Sequence, residues 1–252
     1  MTLLLVDIGN SRVKWARLDG TVLGEQHAAE HAGWSPAEWR AALLADGGVQ
    51  RVVAASVAGG ASLAALDAAA RDVTGCGIER VTTERAAAGV TNGYADPSLL
   101  GVDRWLAAIG AYRRVRGPCV VADIGTAATV DVVDGEGRHR GGYIVPGPRL
   151  MVGALLRNTS DLGSFHAGSP PGGSAGFADN TRDAIERGCR LALAAWVERC
   201  ATDAARLVGV RPRVLVTGGG GAELLPDLRI EVEQAPDLVL QGLAVVLQSA
   251  PG

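Results

Sequence analysis

With 252 residues, 48% hydrophobic and 20% charged, the chain has the profile of a folded globular protein, long enough for one large domain or two smaller ones. A net charge of -3 leaves no cationic excess to neutralise phosphates, which excludes an electrostatically driven nucleic-acid binder and favours a small-molecule partner. Cys76, Cys119, Cys189 and Cys200 form no C-x-x-C pair, against a zinc site or disulfide framework; no apolar run approaches the roughly 18 residues of a membrane span, and a cytoplasmic setting is expected.

The apolar run of residues 3–6 predicts a buried strand ending in Asp7-Ile8-Gly9-Asn10-Ser11. Val13 and Trp15 alternate with Lys14 and Ala16, so a second strand follows at once and the pair forms a hairpin. Rossmann and P-loop phosphate turns lead into a helix instead, and neither glycine fingerprint is present. Ser35-Pro36-Ala37-Glu38 has the form of a capping box with proline at the first helical position, predicting a helix over about 36–45. A strand at 51–57, a helix at 63–73 and a strand at 78–82 complete an α/β layered pattern.

A polar loop containing Asn92-Gly93-Tyr94 and Asp96-Pro97 leads into Gly101-Val102-Asp103-Arg104-Trp105. The spacing of Trp105, Ala108, Ile109, Tyr112 and Val115 describes one face of a helix with Asp103 at its entrance. Asp103 is there either a helix N-cap or the centre of the chemistry. Gly117-Pro118 ends the helix and marks the expected domain boundary, dividing the chain into 1–116 and 117–252.

The second half opens as the first does. An apolar strand at 119–122 ends in Asp123-Ile124-Gly125, followed by Thr126-Ala127-Ala128-Thr129 and a further strand through Val130, Val132 and Val133. Two such segments in two α/β halves read as a duplication that sets two carboxylates and two glycine-opened backbones face to face across one cleft. A nucleotide phosphate tail with Mg²⁺ needs that set of groups. Beyond Gly141-Gly142 and Pro146-Gly147 come a helix at 148–157, a glycine-rich loop at 168–176 and a long helix at 181–208. Asn180 is the expected N-cap of the long helix, Asp183 lies in its first turn, and Cys189, Leu193, Trp196, Val197, Cys200 and Leu207 form its apolar side, the cysteines as core filler. A strand at 214–216 runs into Thr217-Gly218-Gly219-Gly220-Gly221, which suits either a flat ligand or a plain loop, and a helix at 238–247 closes the chain.

Taken in order, Asp7 to Ser11 with Lys14, Gly101 to Trp105, Asp123 to Ala127 with Thr129, Gly141-Gly142, Pro146-Gly147, Asn180-Thr181 and Thr217-Gly218-Gly219 resemble the type III pantothenate kinases. The resemblance spans nearly the whole chain, with G-x-D-R as its sharpest member. It implies an α/β fold of two duplicated RNase H-like, actin-like ATPase domains with a cleft between them, and ATP-dependent phosphorylation of pantothenate to 4′-phosphopantothenate in coenzyme A synthesis. It further implies that Asp7, Ile8, Gly9, Asn10, Ser11, Arg12, Val13, Lys14 and Thr126 form the ATP site and that Asp123 is a ligand of the monovalent cation. Tyr94, Gly101, Val102, Asp103, Arg104 and Thr181 become pantothenate contacts, with Asp103 the general base. Mg²⁺, K⁺ or NH₄⁺ and a homodimer are implied as well, with no nucleic acid and no membrane. The rivals are another small-molecule kinase or a nucleotide-binding regulator on the same fold, and a pure nucleotide switch has no use for Asp103 with Arg104.

Overall fold

The computed structural model describes residues 2–158 and 177–249, so the glycine-rich loop expected at 168–176 lies outside the described residues. Two compact units are present. The first comprises the described residues up to Cys119, Val133–Gly141 and those from Asp237 onward; the second comprises Val120–Val132 and the described part of Gly142–Pro236.

In the first unit the expected hairpin forms. β1 (Thr2–Ile8) pairs antiparallel with β2 (Arg12–Asp19), Ile8 opposite Val13. Leu4, Leu5, Val6 and Ile8 of β1 are fully buried, which is why the strand reads as an unbroken apolar run. β3 (Val22–Leu23) and β4 (His27–Glu30) pair with β2. α1 (Pro36–Leu43) starts with the predicted box: the Ser35 hydroxyl accepts from the Glu38 amide at 3.4 Å, and the Glu38 carboxylate accepts from the Ser35 amide at 2.7 Å. Those Ser35 groups, the amide first, hold the Glu38 carboxyl below its ordinary pKa.

β5 (Arg51–Ser56) lies parallel to β1. α2 (Gly60–Thr74) starts ahead of the expected 63, because Gly59 serves as N-cap without a side chain that the sequence could advertise. β6 (Glu79–Arg80) pairs parallel with β5, giving a sheet ordered β3-β2-β1-β5-β6 with β4 also on β2. A small hairpin of β7 (Ala86–Ala87) and β8 (Val90–Thr91), too short for a periodic signal, precedes the 3-10 turn Pro97–Leu99 and α3 (Val102–Val115). α3 ends at Arg116, whose φ of 52° puts it in the left-handed region just before Gly117.

In the second sheet β9 (Cys119–Ile124), β10 (Ala127–Val133) and β11 (His139–Pro146) are followed by α4 (Pro148–Asn158), α5 (Thr181–Val208), β12 (Arg213–Thr217), α6 (Gly221–Leu224), the 3-10 turn Leu225–Asp227 and β13 (Glu233–Gln234). The order is β11-β10-β9-β12-β13. It repeats the first sheet's order: three sequential strands side by side, then two later strands on the other edge of the first. This is the duplicated RNase H-like arrangement. Leu193, Ala194, Val197 and Cys200 of α5 pack with Val120, Ala122, Val214 and Val216. Leu207 does not join them and is 49% exposed. The inward stripe runs from Cys200 to Ala204 and then Val208, four residues on each time, which leaves Leu207 one position off it.

Burial pushes the Cys119 thiol up to about 12 and the Cys200 thiol to about 11, and raises that of Cys189, so these three are inert core residues, whereas Cys76 is exposed. α7 (Leu238–Ser249) belongs to the first unit, where Leu238, Leu240 and Leu243 are buried and the helix packs on α3. Among the described residues no helix is long and apolar enough to cross a membrane.

Candidate active site

Asp7 is the penultimate residue of β1, so it stands within the strand and not in the turn. Val6 and Ile8 face the core between the sheet and α1–α2, so strand alternation turns the 7%-exposed Asp7 to the other face. The register places Lys14 directly across from it, both side chains on that face. The Gly9 amide donates to the Arg12 carbonyl at 3.0 Å, closing the turn with Asn10 and Ser11 exposed at its tip. Arg12 is exposed as well. Ile8 and Val13 are fully buried, so only their backbone is available to a ligand.

Asp123 holds the matching place in β9, penultimate before Ile124, and is half-buried. Here the turn is tighter: the Gly125 amide donates to the Ala127 carbonyl at 3.1 Å, and β10 resumes one residue sooner than β2 does, with Thr126 exposed. In each unit the carbonyl of the isoleucine accepts from a loop after the neighbouring strand. Val57 and Ala58 donate to Ile8 at 3.0 and 3.3 Å, and Gly220 donates to Ile124 at 2.8 Å.

Backbone closes in around the second turn. The Gly147 amide donates to the Thr126 carbonyl at 2.9 Å, and a Cβ on Gly147 would stand 2.1 Å from the Gly125 carbonyl oxygen. Gly218 has φ +85°, and a Cβ there would lie 2.3 Å from the Asp123 carboxylate. The Thr217 hydroxyl, in a residue only 1% exposed, has no hydrogen-bond partner among the described residues. Alternation puts it on the Asp123 face of the sheet, opposite Val216 and the core.

The third element is the start of α3. Gly101 is its N-cap and Asp103 lies inside the first turn, which corrects the reading of Asp103 as a cap. A loop glycine supplies the cap, and the Asp103 carboxylate accepts from the Arg104 amide at 2.8 Å. The helix dipole favours a negative charge at this place. Val102 and Arg104 are buried, at 8% and 7% exposure, so Arg104 is no surface ion-pair partner. Its guanidinium donates to the Tyr94 hydroxyl at 3.0 Å and lies 5.9 Å from the centre of that ring.

Tyr94 is itself fixed from several sides. Its amide donates to the buried Asn92 side chain at 2.9 Å, and Arg85 donates to the carbonyls of Tyr94 and Ala95 at 2.9 and 2.8 Å. The His139 ring packs at 5.9 Å. Asp96 caps the next turn by accepting from the Ser98 hydroxyl and amide, which together hold its carboxyl below the ordinary range. Tyr94 and Gly101 to Arg104 thus lie in the same unit, joined by the Arg104–Tyr94 bond. Thr181, exposed at the first position of α5, belongs to the second unit, where Asn180 caps the helix by accepting from the Asp183 amide at 2.9 Å.

Sequence reasoning missed Arg85, His139 and His31. Each acts on backbone or on a ring distant in the chain, and none carries a local motif. His31 holds the Gly9 carbonyl.

Among the described residues no group of three or more His, Cys, Asp or Glu side chains forms a metal cluster. The donors near Asp123 are oxygens, its carboxylate and the buried Thr217 hydroxyl, which suit a hard cation whose shell is completed by phosphate and water. At α3 a carboxylate beside a buried, braced guanidinium can take a proton from a hydroxyl while the cation holds an anionic group of the same molecule.

The family model for type III pantothenate kinases matches residues 3–203. A type III pantothenate kinase of Alkalilimnicola ehrlichii is 42% identical over 242 residues, covering 96% of both chains. Among solved structures, a Campylobacter jejuni protein assigned to the Baf family of transcriptional activators aligns over 97% of both chains with a TM-score of 0.58 at 20% identity. Component A of the Acidaminococcus fermentans (R)-2-hydroxyglutaryl-CoA dehydratase aligns over 99% of this chain and 97% of its own, with a TM-score of 0.56 at 14% identity. These two likenesses speak for the fold alone. The family match takes in both Asp-Ile-Gly segments and the G-x-D-R motif, and by it the chain belongs to the type III pantothenate kinase family.

Proposed function

We propose that this chain transfers the terminal phosphoryl group of ATP to the primary hydroxyl of pantothenate, the first step of coenzyme A synthesis, with Asp103 as general base. The observation that carries this reading is Asp103 inside the first turn of α3, relieved of capping by Gly101 and set beside Arg104 braced on Tyr94. Phosphoryl transfer asks little covalent chemistry of a protein; it asks for alignment, charge neutralisation and a proton acceptor. Asp103 accepts the hydroxyl proton, Arg104 pairs with the pantothenate carboxylate, and Tyr94, Gly101, Val102 and Thr181 complete the acceptor site.

On the nucleotide side, the turn from Asp7 to Lys14 and Thr126 offer backbone amides and polar side chains to the phosphates. Mg²⁺ travels with those phosphates. Asp123, with Thr217 nearby, supplies oxygen ligands to K⁺ or NH₄⁺, which would offset phosphate charge during transfer. The halves 1–116 and 117–252 are read as the duplicated modules; from the second of these, the first compact unit takes the stretch up to Cys119, Val133–Gly141 and α7. A homodimer is supported by exposed apolar side chains of the second unit, Tyr143, Ile144 and Leu191 among them, and the expected setting is the cytoplasm.

Asp103→Asn tests the central assignment. A positioned base contributes about 10²- to 10⁴-fold in rate. The variant is expected to keep its Tm and ATP binding and to lose at least about a hundredfold in kcat with pantothenate, read by steady-state kinetics and thermal unfolding. A kcat near that of the unmutated protein would remove Asp103 from the chemistry.

A further inference from the structure

β4 pairs with β2 so that Arg12 faces Glu30, and the next residue, His31, therefore arrives beside the first Asp-Ile-Gly turn. Its ring is buried, at 3% exposure, packed 5.4 Å from the ring of Trp39 on α1. Nε2 lies 2.7 Å from the Gly9 carbonyl oxygen. A carbonyl has only lone pairs to offer, so Nε2 carries the hydrogen and donates. In the neutral ring Nδ1 is then an acceptor, and the Ser62 hydroxyl at the start of α2 lies 3.5 Å from it. The Gly9 amide is committed to the Arg12 carbonyl at 3.0 Å. Both backbone polar groups of Gly9 are thus engaged, the amide in the bond that closes the turn and the carbonyl with His31 from outside it.

We propose that His31 is a positioning residue for the nucleotide: it holds the Gly9 peptide so that the amides and hydroxyl of Asn10 and Ser11 present a preset face to the ATP phosphates. The proposal rests on the reading of residues 7–14 as the phosphate turn. His31 touches no substrate and acts only through Gly9. It joins α1 through Trp39, α2 through Ser62 and the β1–β2 turn through Gly9, so a rigid layer of the fold fixes a turn whose tip is otherwise exposed. Donors held before the ligand arrives spare the ordering cost at binding.

The test compares His31→Phe, which keeps a ring against Trp39 and loses the donor, with His31→Gln, whose side-chain amide can still donate to Gly9. Binding of Mg·ATP without acceptor, both KM values, kcat and Tm are measured, with Asp7→Asn as reference for the turn. Loss of one hydrogen bond predicts about a tenfold rise in the Mg·ATP Kd and KM for the Phe variant, with the pantothenate KM within about twofold and recovery to within about threefold in the Gln variant. An unchanged ATP Kd in His31→Phe, an equal rise in both KM values, or failure of Gln to recover binding at unaltered Tm overturns the proposal. If Asp7→Asn weakens ATP and His31→Phe does not, His31 alone is excluded; if neither weakens ATP, the phosphate-turn reading falls and takes the proposal with it. Should His31→Phe fail to fold, His31→Asn, whose amide is too short to reach Gly9, replaces it under the same criteria.

Discussion

The two Asp-Ile-Gly turns share a sequence and a place in their sheets, yet they are held by different means. Around Gly9 the support is a side chain, the imidazole of His31 reaching in from β4. Around Gly125 the support is main chain, with Gly147 bonded to Thr126 and Gly218 lying against Asp123 and Ile124. A duplicated motif has kept the strand, the carboxylate and the isoleucine carbonyl, and each copy has found its own neighbour for the rest. Side-chain support leaves room for a substitute of similar reach. Main-chain support leaves none, since any residue larger than glycine puts carbon where an oxygen already is.

The largest effect should come from testing that asymmetry at its stiff end. In Gly147→Ala the new Cβ would stand 2.1 Å from the Gly125 oxygen and 2.6 Å from that of Thr126, both backbone atoms that cannot swing away. A loss of about 3 kcal/mol in stability is expected, seen in thermal or denaturant unfolding. A Tm unchanged by Gly147→Ala would break the contrast. Next in size are Asp7→Asn and Asp123→Asn, each expected to lower kcat/KM for Mg·ATP by about ten- to a hundredfold, the worth of a charged hydrogen bond, at near-normal Tm. Titrating Mg²⁺ and K⁺ separately sharpens the comparison: the Asp123 variant should shift its K⁺ requirement and the Asp7 variant should not. If either keeps full turnover at limiting cations, that carboxylate has no nucleotide role.

A smaller effect is expected from Ser62→Ala. At 3.5 Å the Ser62–His31 contact is at the limit of a hydrogen bond, so stability and ATP KM should move by no more than about 0.5 kcal/mol and twofold. The thiols provide a last, qualitative check. At pH 8 an alkylating reagent followed by mass spectrometry should label exposed Cys76 and spare Cys119, Cys189 and Cys200, whose thiols burial holds uncharged. Faster labelling of Cys119 or Cys200 in Gly147→Ala, and not in His31→Phe, would localise the loosening to the second turn.

The hairpins, α1 with its capping box and the span of α5 were legible because their signals are local: alternation, a capping tetrad, an asparagine before an apolar stripe. The G-x-D-R stretch was legible as a helix entrance for the same reason. What stayed hidden depends on the fold. That Gly101 rather than Asp103 caps α3 is a matter of one residue's backbone angles, and both are acceptable caps on paper. Arg85, which bonds two carbonyls of the Tyr94 loop, looks like any exposed arginine until the loop has closed on it. His31 gains its meaning only from the β2–β4 register.

The placement of α7 bears on how the chain is made. Trp105, Leu106 and Ile109 of α3 are fully buried or nearly so, and the helix packed against α3 in the same unit begins at Leu238. During vectorial synthesis roughly 120 residues separate the end of α3 from the start of α7, which at about 5–20 residues per second is on the order of ten seconds. For that interval the apolar stripe of α3 has no α7 to cover it, while the same helix already bears Asp103 and Arg104, the residues proposed to do the chemistry. A stop codon just before Leu238 would therefore yield a product with every proposed site residue present and the α7-facing side of α3 left uncovered.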